Sequence, residues 1–149
     1  MTRGFEIVRD DARKFLNKNI KLPERGTSKA MAYDFFSNDD YTAAPGDIVK
    51  IWTDVKAYMG ETECLILNVR SSMGGKWMLA NTSGWIDADY YNNEGNDGNI
   101  GAFLKNISNS VQHIKAGDKI AQGAFFTFLV ADNGNTDIER VGGFGSTNK

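Results

Sequence analysis

The sequence predicts an all-β subunit, a barrel or jelly roll, that carries a mobile C-terminal arm. Three observations predict it. Short runs of β-branched and aromatic residues recur at roughly 8–12 residue intervals between residues 48 and 132. Glycine supplies 16 of 149 residues and proline only 2, a composition of tight turns with few proline stops. From Asp132 on the character changes, and in DNGNTDIERVGGFGSTNK only Ile138, Val141 and Phe144 are apolar. Residues 1–132 read as the β domain and 133–149 as the arm.

The elements follow in order. FEIV (5–8) reads as a first strand. DDARKFLNKN (10–19) starts with two acids and sets Ala12, Phe15 and Leu16 on one side, the pattern of a helical turn or two. Pro23 and Gly26 mark a loop over 23–32 that leads into YDFF, and SNDDYTAAPGD (37–47) is a turn cluster broken at Pro45-Gly46. IVKIWTDV (48–55) and ECLILNV (63–69) are strands by composition. KWMLAN (76–81) and GWIDADY (84–90) flank Thr82-Ser83, which suggests a tight hairpin. NNEGNDGN (92–99) has no apolar residue and reads as an exposed loop. IGAFLKNIS (100–108), SVQHI (110–114) and DKIAQGAFFTFLVAD (118–132) are the remaining strands. Cys64, in an apolar strand, reads as buried and inert. His113 reads as structural, and Trp52, Trp77 and Trp85 as core or interface aromatics.

Composition excludes several classes of function. Lys plus Arg is 17 and Asp plus Glu is 19, a formal charge of −2, so no global basic field exists to hold nucleic acid or an anionic membrane. One cysteine leaves no disulfide framework and one histidine leaves no His-rich metal cluster within a chain. The N-terminal segment lacks an apolar signal region, and the longest apolar run, 123–131, is too short to span a bilayer. The expectation is a soluble, cytoplasmic protein.

Five short polar segments fall at strand ends or turns: AYD (32–34), RSS (70–72), NTSGWIDADY (81–90), GDKIAQ (117–122) and ERVGGFGST (139–147). In this order and spacing they resemble the five motifs of the trimeric dUTP pyrophosphatase (dUTPase) family, over residues 30–147. The stretch from Asn81 to Tyr90 is the most specific match, with GDKIAQ and GGFGST close behind. The sequence departs from the pattern at four places. Met31-Ala32 stands where the family usually has Ala-Gly, and Val69 replaces a usual proline. The stretch between Tyr90 and Gly98 is several residues longer than usual. Arg140 precedes Phe144 by four positions rather than the common five.

The resemblance implies a distorted, jelly-roll-like β-clip barrel that cleaves dUTP between the α and β phosphates, giving dUMP and pyrophosphate. Asp87 would be the general base that activates water; no histidine lies in a matching motif, so a carboxylate is the natural base. Asn81 and the backbone of Gly84, Trp85 and Ile86 would read the uracil edge, with Asn81 also serving the turn. Tyr90 would lie under the deoxyribose and block a 2′-hydroxyl. Ser71, Ser72 and Gln122 would contact phosphate, and Arg70 either contacts phosphate or forms an ion pair that braces the site. Asp34 would hold Mg²⁺ through water, the ion being bound mainly by the substrate phosphates. Phe144, an exposed aromatic among glycines, would stack on uracil. Arg140, Gly145, Ser146 and Thr147 would close the arm over the phosphates.

The family also implies a homotrimer with shared sites: the base-binding hairpin from one subunit, phosphate donors from a second and the arm from a third. Two other readings stand beside this one. The first is a dCTP deaminase, or a bifunctional deaminase and dUTPase, on the same fold. The second is a nucleotide-sensing regulatory homologue with a protein partner, for which the 92–99 loop is the suggestive feature.

Overall fold

Alternation decides which side of each strand turns inward. In ECLILN, Leu65 and Leu67 are buried while Asn68 is exposed, and in GAFLKN, Ala102, Leu104 and Asn106 are buried. The computed structural model describes residues 2–145. Eleven strands form among them: β1 (Gly4–Ile7), β2 (Tyr33–Phe36), β3 (Tyr41–Ala43), β4 (Ile48–Trp52), β5 (Val55–Tyr58), β6 (Glu63–Asn68), β7 (Trp77–Leu79), β8 (Gly84–Asp87), β9 (Gly101–Asn106), β10 (Gln112–Ile114) and β11 (Lys119–Thr127). They make a four-stranded sheet in the order β2-β11-β6-β8, a three-stranded sheet β4-β9-β7, and two pairs, β1-β5 and β3-β10. All pairings are antiparallel. The all-β, jelly-roll-like expectation holds. Phe35, Ile51, Leu65, Leu67, Ile100, Leu104 and Ile120 fill the core between the sheets.

Outside the functional site the structure corrects four sequence expectations. Residues 10–19 make only a 3₁₀ turn, Asp10–Ala12. The fully buried Asp54 carboxylate accepts the Lys14 N–H at 2.9 Å and the Phe15 N–H at 2.8 Å, so donors a helix needs are taken elsewhere. The run 48–55 breaks at Asp54, whose φ of 57° turns the chain and starts the separate strand β5. The turn cluster 37–47 contains β3, which pairs with β10.

The fourth correction concerns residues 92–99. They turn inward: Asn93, Asp97 and Asn99 are buried. Asp97 accepts from Lys56 Nζ at 2.9 Å and from the Arg9 N–H at 2.7 Å. Asn99 exchanges hydrogen bonds with Asp54, its Oδ1 accepting from the Asp54 N–H and its Nδ2 donating to Oδ1, both at 2.9 Å. Polar residues enter the interior here because each finds a partner.

Asn99→Ala leaves the Asp54 carboxylate and N–H short of partners. The expected loss is about 2–3 kcal/mol, read as a lower urea midpoint at unchanged m-value; an unmoved midpoint would contradict the role given to this pair. Burial pushes the Asp97 carboxyl up, but the Lys56 and Arg9 hydrogen bonds and charges outweigh it and hold the group below its ordinary value. A depressed carboxylate stabilises the fold above its unfolded value, near 3.9, and the contribution fades as pH falls through the folded value. Asp97→Asn should therefore be less stable than the parent at neutral pH, and the gap should close below about pH 4. A gap that persists unchanged at acid pH would overturn this linkage.

Candidate functional site

The link at 82–83 does not join two paired strands. β7 pairs with β9 and β8 with β6, so the chain crosses from one sheet to the other at Asn81–Ser83. Trp77 and Leu79 pair with β9 in the three-stranded sheet while Ile86 lies opposite Leu65 in the other, and pairing into two different sheets around one shared core opens the expected hairpin. Thr82 is left with a φ of 66°, an outlier for a β-branched residue. Its N–H donates to Leu79 O at 2.9 Å, and the Ser83 N–H donates to Asn81 O at 2.8 Å.

A cavity of about 420 Å³ opens where the sheets part. Leu79, Ala80 and Asn81 line one side, Gly84–Asp87 the other, and Gly101 and Phe103 of β9 part of the wall. β8 is an edge strand, paired with β6 on one side only, so backbone donors and acceptors remain for a ligand. Asp87 ends β8 with its side chain 66% exposed. A single 3₁₀ turn, Ala88–Tyr90, then swings Tyr90 inward. Its hydroxyl donates to Asn99 O at 2.7 Å and accepts from Asn96 Nδ2 at 2.8 Å. Burial pushes the phenol above its ordinary value, against the pull of the Asn96 bond and the Arg140 charge. Tyr90 thus stays a neutral donor.

Residues 140–145 lie over this cavity within the same chain, whereas the family resemblance implies an arm from a third subunit. Arg140 donates from one terminal nitrogen to Asp87 Oδ2 at 2.7 Å and from Nε to Asp89 Oδ1 at 2.8 Å. Its guanidinium carbon sits 5.8 Å from the Tyr90 ring centre. Phe144 packs on Phe103 with ring centres 5.0 Å apart and meets Trp52 edge-on at 5.9 Å. Gly143 and Gly145 complete the lining.

The remaining motif residues gather elsewhere. Arg70, Ser72, Lys76, His113 and Lys119 line a second cavity of about 470 Å³. Arg70 Nε donates to Asp34 Oδ1 at 2.9 Å, and Lys119 Nζ pairs with Oδ2 at 3.2 Å. Of the two readings of Arg70, the bracing ion pair is formed. Ser71 opens the 3₁₀ turn Ser71–Met73 beside this cavity. Gln122 lies in β11, opposite Asn68 on one neighbour and Asp34 on the other. Among the described residues no group of three or more His, Cys, Asp or Glu could hold a metal ion. Ser146 and Thr147 lie outside the described residues.

Some expectations shift in detail. Trp77 is buried, whereas Trp85 is 74% exposed at the cavity. Cys64 is half-buried rather than buried. His113 is exposed beside Thr42, its Nδ1 at 3.1 Å from the Thr42 hydroxyl. The sequence reading missed Asp89, Gly101 and Phe103. Asp89 carried a signal, a second acid two positions after Asp87 on a strand end. Gly101 carried none: a Cβ there would stand 3.0 Å from both Phe103 and Trp52, a reason visible only once the sheets are folded.

Comparison with known proteins agrees with this geometry. The dUTPase family model matches residues 18–147. A deoxyuridine 5′-triphosphate nucleotidohydrolase of Lactococcus lactis subsp. lactis (strain IL1403) is 40% identical over 149 residues, covering 97% of each chain. A crystal structure of dUTPase from Streptococcus mutans superposes with a TM-score of 0.74 at 38% identity, over 87% of this chain and 99% of that one. A mutant dUTPase from phage phi11 of S. aureus, described with a structural Mg(II) ion, shares the fold at 22% identity and a TM-score of 0.67, over 93% of this chain and 98% of that one. A β domain with a ligand-sized cavity along the free edge of β8, and motif matches over most of its length, thus belongs to the dUTPase family.

Proposed function

We propose that this protein hydrolyses dUTP to dUMP and pyrophosphate in the cavity between β7 and β8, limiting uracil incorporation into DNA and supplying dUMP. The observation that carries this reading is the unpaired edge of β8 with Asp87 at its end and the Tyr90 ring beside it. Backbone groups at that edge complement the Watson–Crick edge of uracil and reject cytosine, whose donor and acceptor are exchanged. A cavity framed this closely by backbone disfavours the C5 methyl of thymine. Asn81 and residues 84–86 bind the base, and Tyr90 excludes a ribose hydroxyl.

Asp87 takes a proton from water as its oxygen attacks the α-phosphorus, and the bond from that phosphorus to the bridging oxygen of the β-phosphate breaks to release pyrophosphate. Arg140 now occupies one Asp87 oxygen. An incoming phosphate competes for the guanidinium and frees the carboxylate. Phe144 stacks on the base, and Arg140, Gly145 and Ser146 close the arm on the phosphates.

The phosphate donors Arg70, Ser71, Ser72 and Gln122 come from a neighbouring subunit, since in one chain Arg70 and Ser72 line a different cavity from Asp87. A homotrimer with shared sites meets that need, and the exposed Phe126, Phe128, Leu129 and Val130 offer apolar surface for it. The donor set fits Mg²⁺ carried in on the triphosphate rather than held in a protein cage: both Asp34 oxygens already face Arg70 and Lys119, leaving Asp34 to hold the ion through water. When bound, Mg²⁺ supplies charge neutralisation and orientation of the α-phosphate. No helix among the described residues is long and apolar enough to cross a membrane, and a cytoplasmic location suits a protein with a free cysteine.

The test is incubation with Mg²⁺ and dUTP, dCTP, dTTP or UTP separately, following pyrophosphate and ammonia. Pyrophosphate should come from dUTP alone, and Asp87→Asn should lower the rate by about 10²–10⁴-fold. Ammonia from dCTP would make the protein a deaminase, and dUTP binding without turnover would make it a nucleotide sensor. Tyr90→Leu, checked for native circular dichroism, should raise UTP cleavage relative to dUTP by about tenfold or more. An unchanged ratio would remove Tyr90 from sugar selection.

A further inference from the structure

The loop 92–98 meets the arm backbone to backbone. A Cβ on Gly95 would stand 2.9 Å from Gly143 N and 3.6 Å from Gly143 Cα. A Cβ on Gly143 would stand 2.8 Å from Asn96 Oδ1 and 3.1 Å from Asn93 Oδ1. Neither glycine has a positive φ, so backbone conformation alone would admit alanine at both. The close approach of loop and arm is the tightest obstacle to a side chain at both, with Asn93 Oδ1 of the loop a lesser one at 3.3 Å from the Gly95 position.

The loop side of this contact is held in place. Asn93 Oδ1 accepts the N–H groups of Gly95 and Asn96 at 2.9 and 3.0 Å, and Asn93 Nδ2 donates to Tyr90 O at 2.7 Å and to Asn96 Oδ1 at 2.8 Å. Asn96 also donates to the Tyr90 hydroxyl. The surface that receives Gly143 is therefore tied to the ring that lies under the sugar. The arm residues on either side are Arg140, on Asp87 and Asp89, and Phe144, on Phe103.

We infer that loop 92–98 is the cradle that sets where the arm closes, with Gly95, Asn93 and Asn96 as positioning residues for Arg140 and Phe144. The inference rests on the reading that the arm closes over the nucleotide. Gly143 seated between Gly95 and the two asparagines fixes the register of the arm, so that Phe144 faces the base and Arg140 the phosphates. The loop acts on the reaction through the arm and touches no reacting atom.

Gly95→Ala tests this in two backgrounds, the full chain and a chain ending at Glu139. In the full chain it should lower kcat/KM for dUTP by about 10- to 100-fold, the scale of an ångström-sized misplacement. In the shortened chain it should change nothing further, because the arm it displaces is gone. An equal loss in both backgrounds would mean a structural effect and would overturn the cradle, as would an unchanged full chain. A second readout needs no turnover. With the non-hydrolysable analogue dUpNHpp bound, trypsin should cut slowly after Arg140 in the parent and rapidly in Gly95→Ala; equal protection would overturn the cradle. If removing the arm leaves turnover unaltered, lid closure fails by itself and the proteolysis result alone decides the cradle.

Discussion

The reciprocal pair Asp54–Asn99 is the interaction on which the rest of the structure depends. Both side chains are fully buried; the Asn99 amide donates to the Asp54 carboxylate and accepts from the Asp54 backbone N–H. Through Asp54 the pair captures the Lys14 and Phe15 amides, fixing the path of the N-terminal segment. Through the Asn99 carbonyl it anchors the Tyr90 hydroxyl. The same short stretch ends in Ile100, whose carbonyl accepts from the Thr53 N–H and hydroxyl and whose N–H donates to Val55 O. A buried carboxylate is costly unless its oxygens are occupied. Here they are occupied by groups from two distant parts of the chain, the Lys14–Phe15 amides and Asn99, so the charge specifies a meeting point rather than merely surviving burial.

The site inherits its shape from a conflict between two sheets. β7 and β8 are separated by four residues, and a hairpin would satisfy them locally. Each instead completes a different sheet, and Thr82 takes a left-handed conformation to allow it. The result is a cleft with a free strand edge, whose unpaired backbone groups suit the base reading proposed above. Strain at Thr82 and the empty edge of β8 are two aspects of the same arrangement. Both serve the base binding proposed for the cleft between the sheets.

Much of this fold was legible because β-branched, aromatic and other apolar residues run through β6, β9 and β11 and because the turns around them carry Pro, Gly and Asn. The strand partners were not legible. Thr82-Ser83 has hairpin spacing, and only the different sheet partners of β7 and β8 rule the hairpin out. Residues 92–99 were read as exposed because a local window sees polarity without partners. Asp97 is buried by Lys56 and Arg9, 41 and 88 positions away, and such partners exist only in the folded chain. At the site, motif order identified the segments around Asp87, Tyr90 and Phe144. Motif order alone does not divide Arg70 from Asp87; the family resemblance implies that division, and in the chain the two residues line different cavities.

Arg140 shows how the arm and the reaction are linked by charge. Its guanidinium side chain is 10% exposed and lies between Asp87 and Asp89. Two carboxylates this near repel one another, and a single cation between them relieves that repulsion while no nucleotide is present. A triphosphate carries more negative charge than the pair and offers planar guanidinium recognition of its own. A phosphate that draws Arg140 away weakens its hold on Asp87. In the proposed reaction, the ligand thereby helps release the carboxylate that accepts the proton. The position of the arm when that exchange happens depends on a contact remote from both charges, the close approach of Gly143 to Gly95.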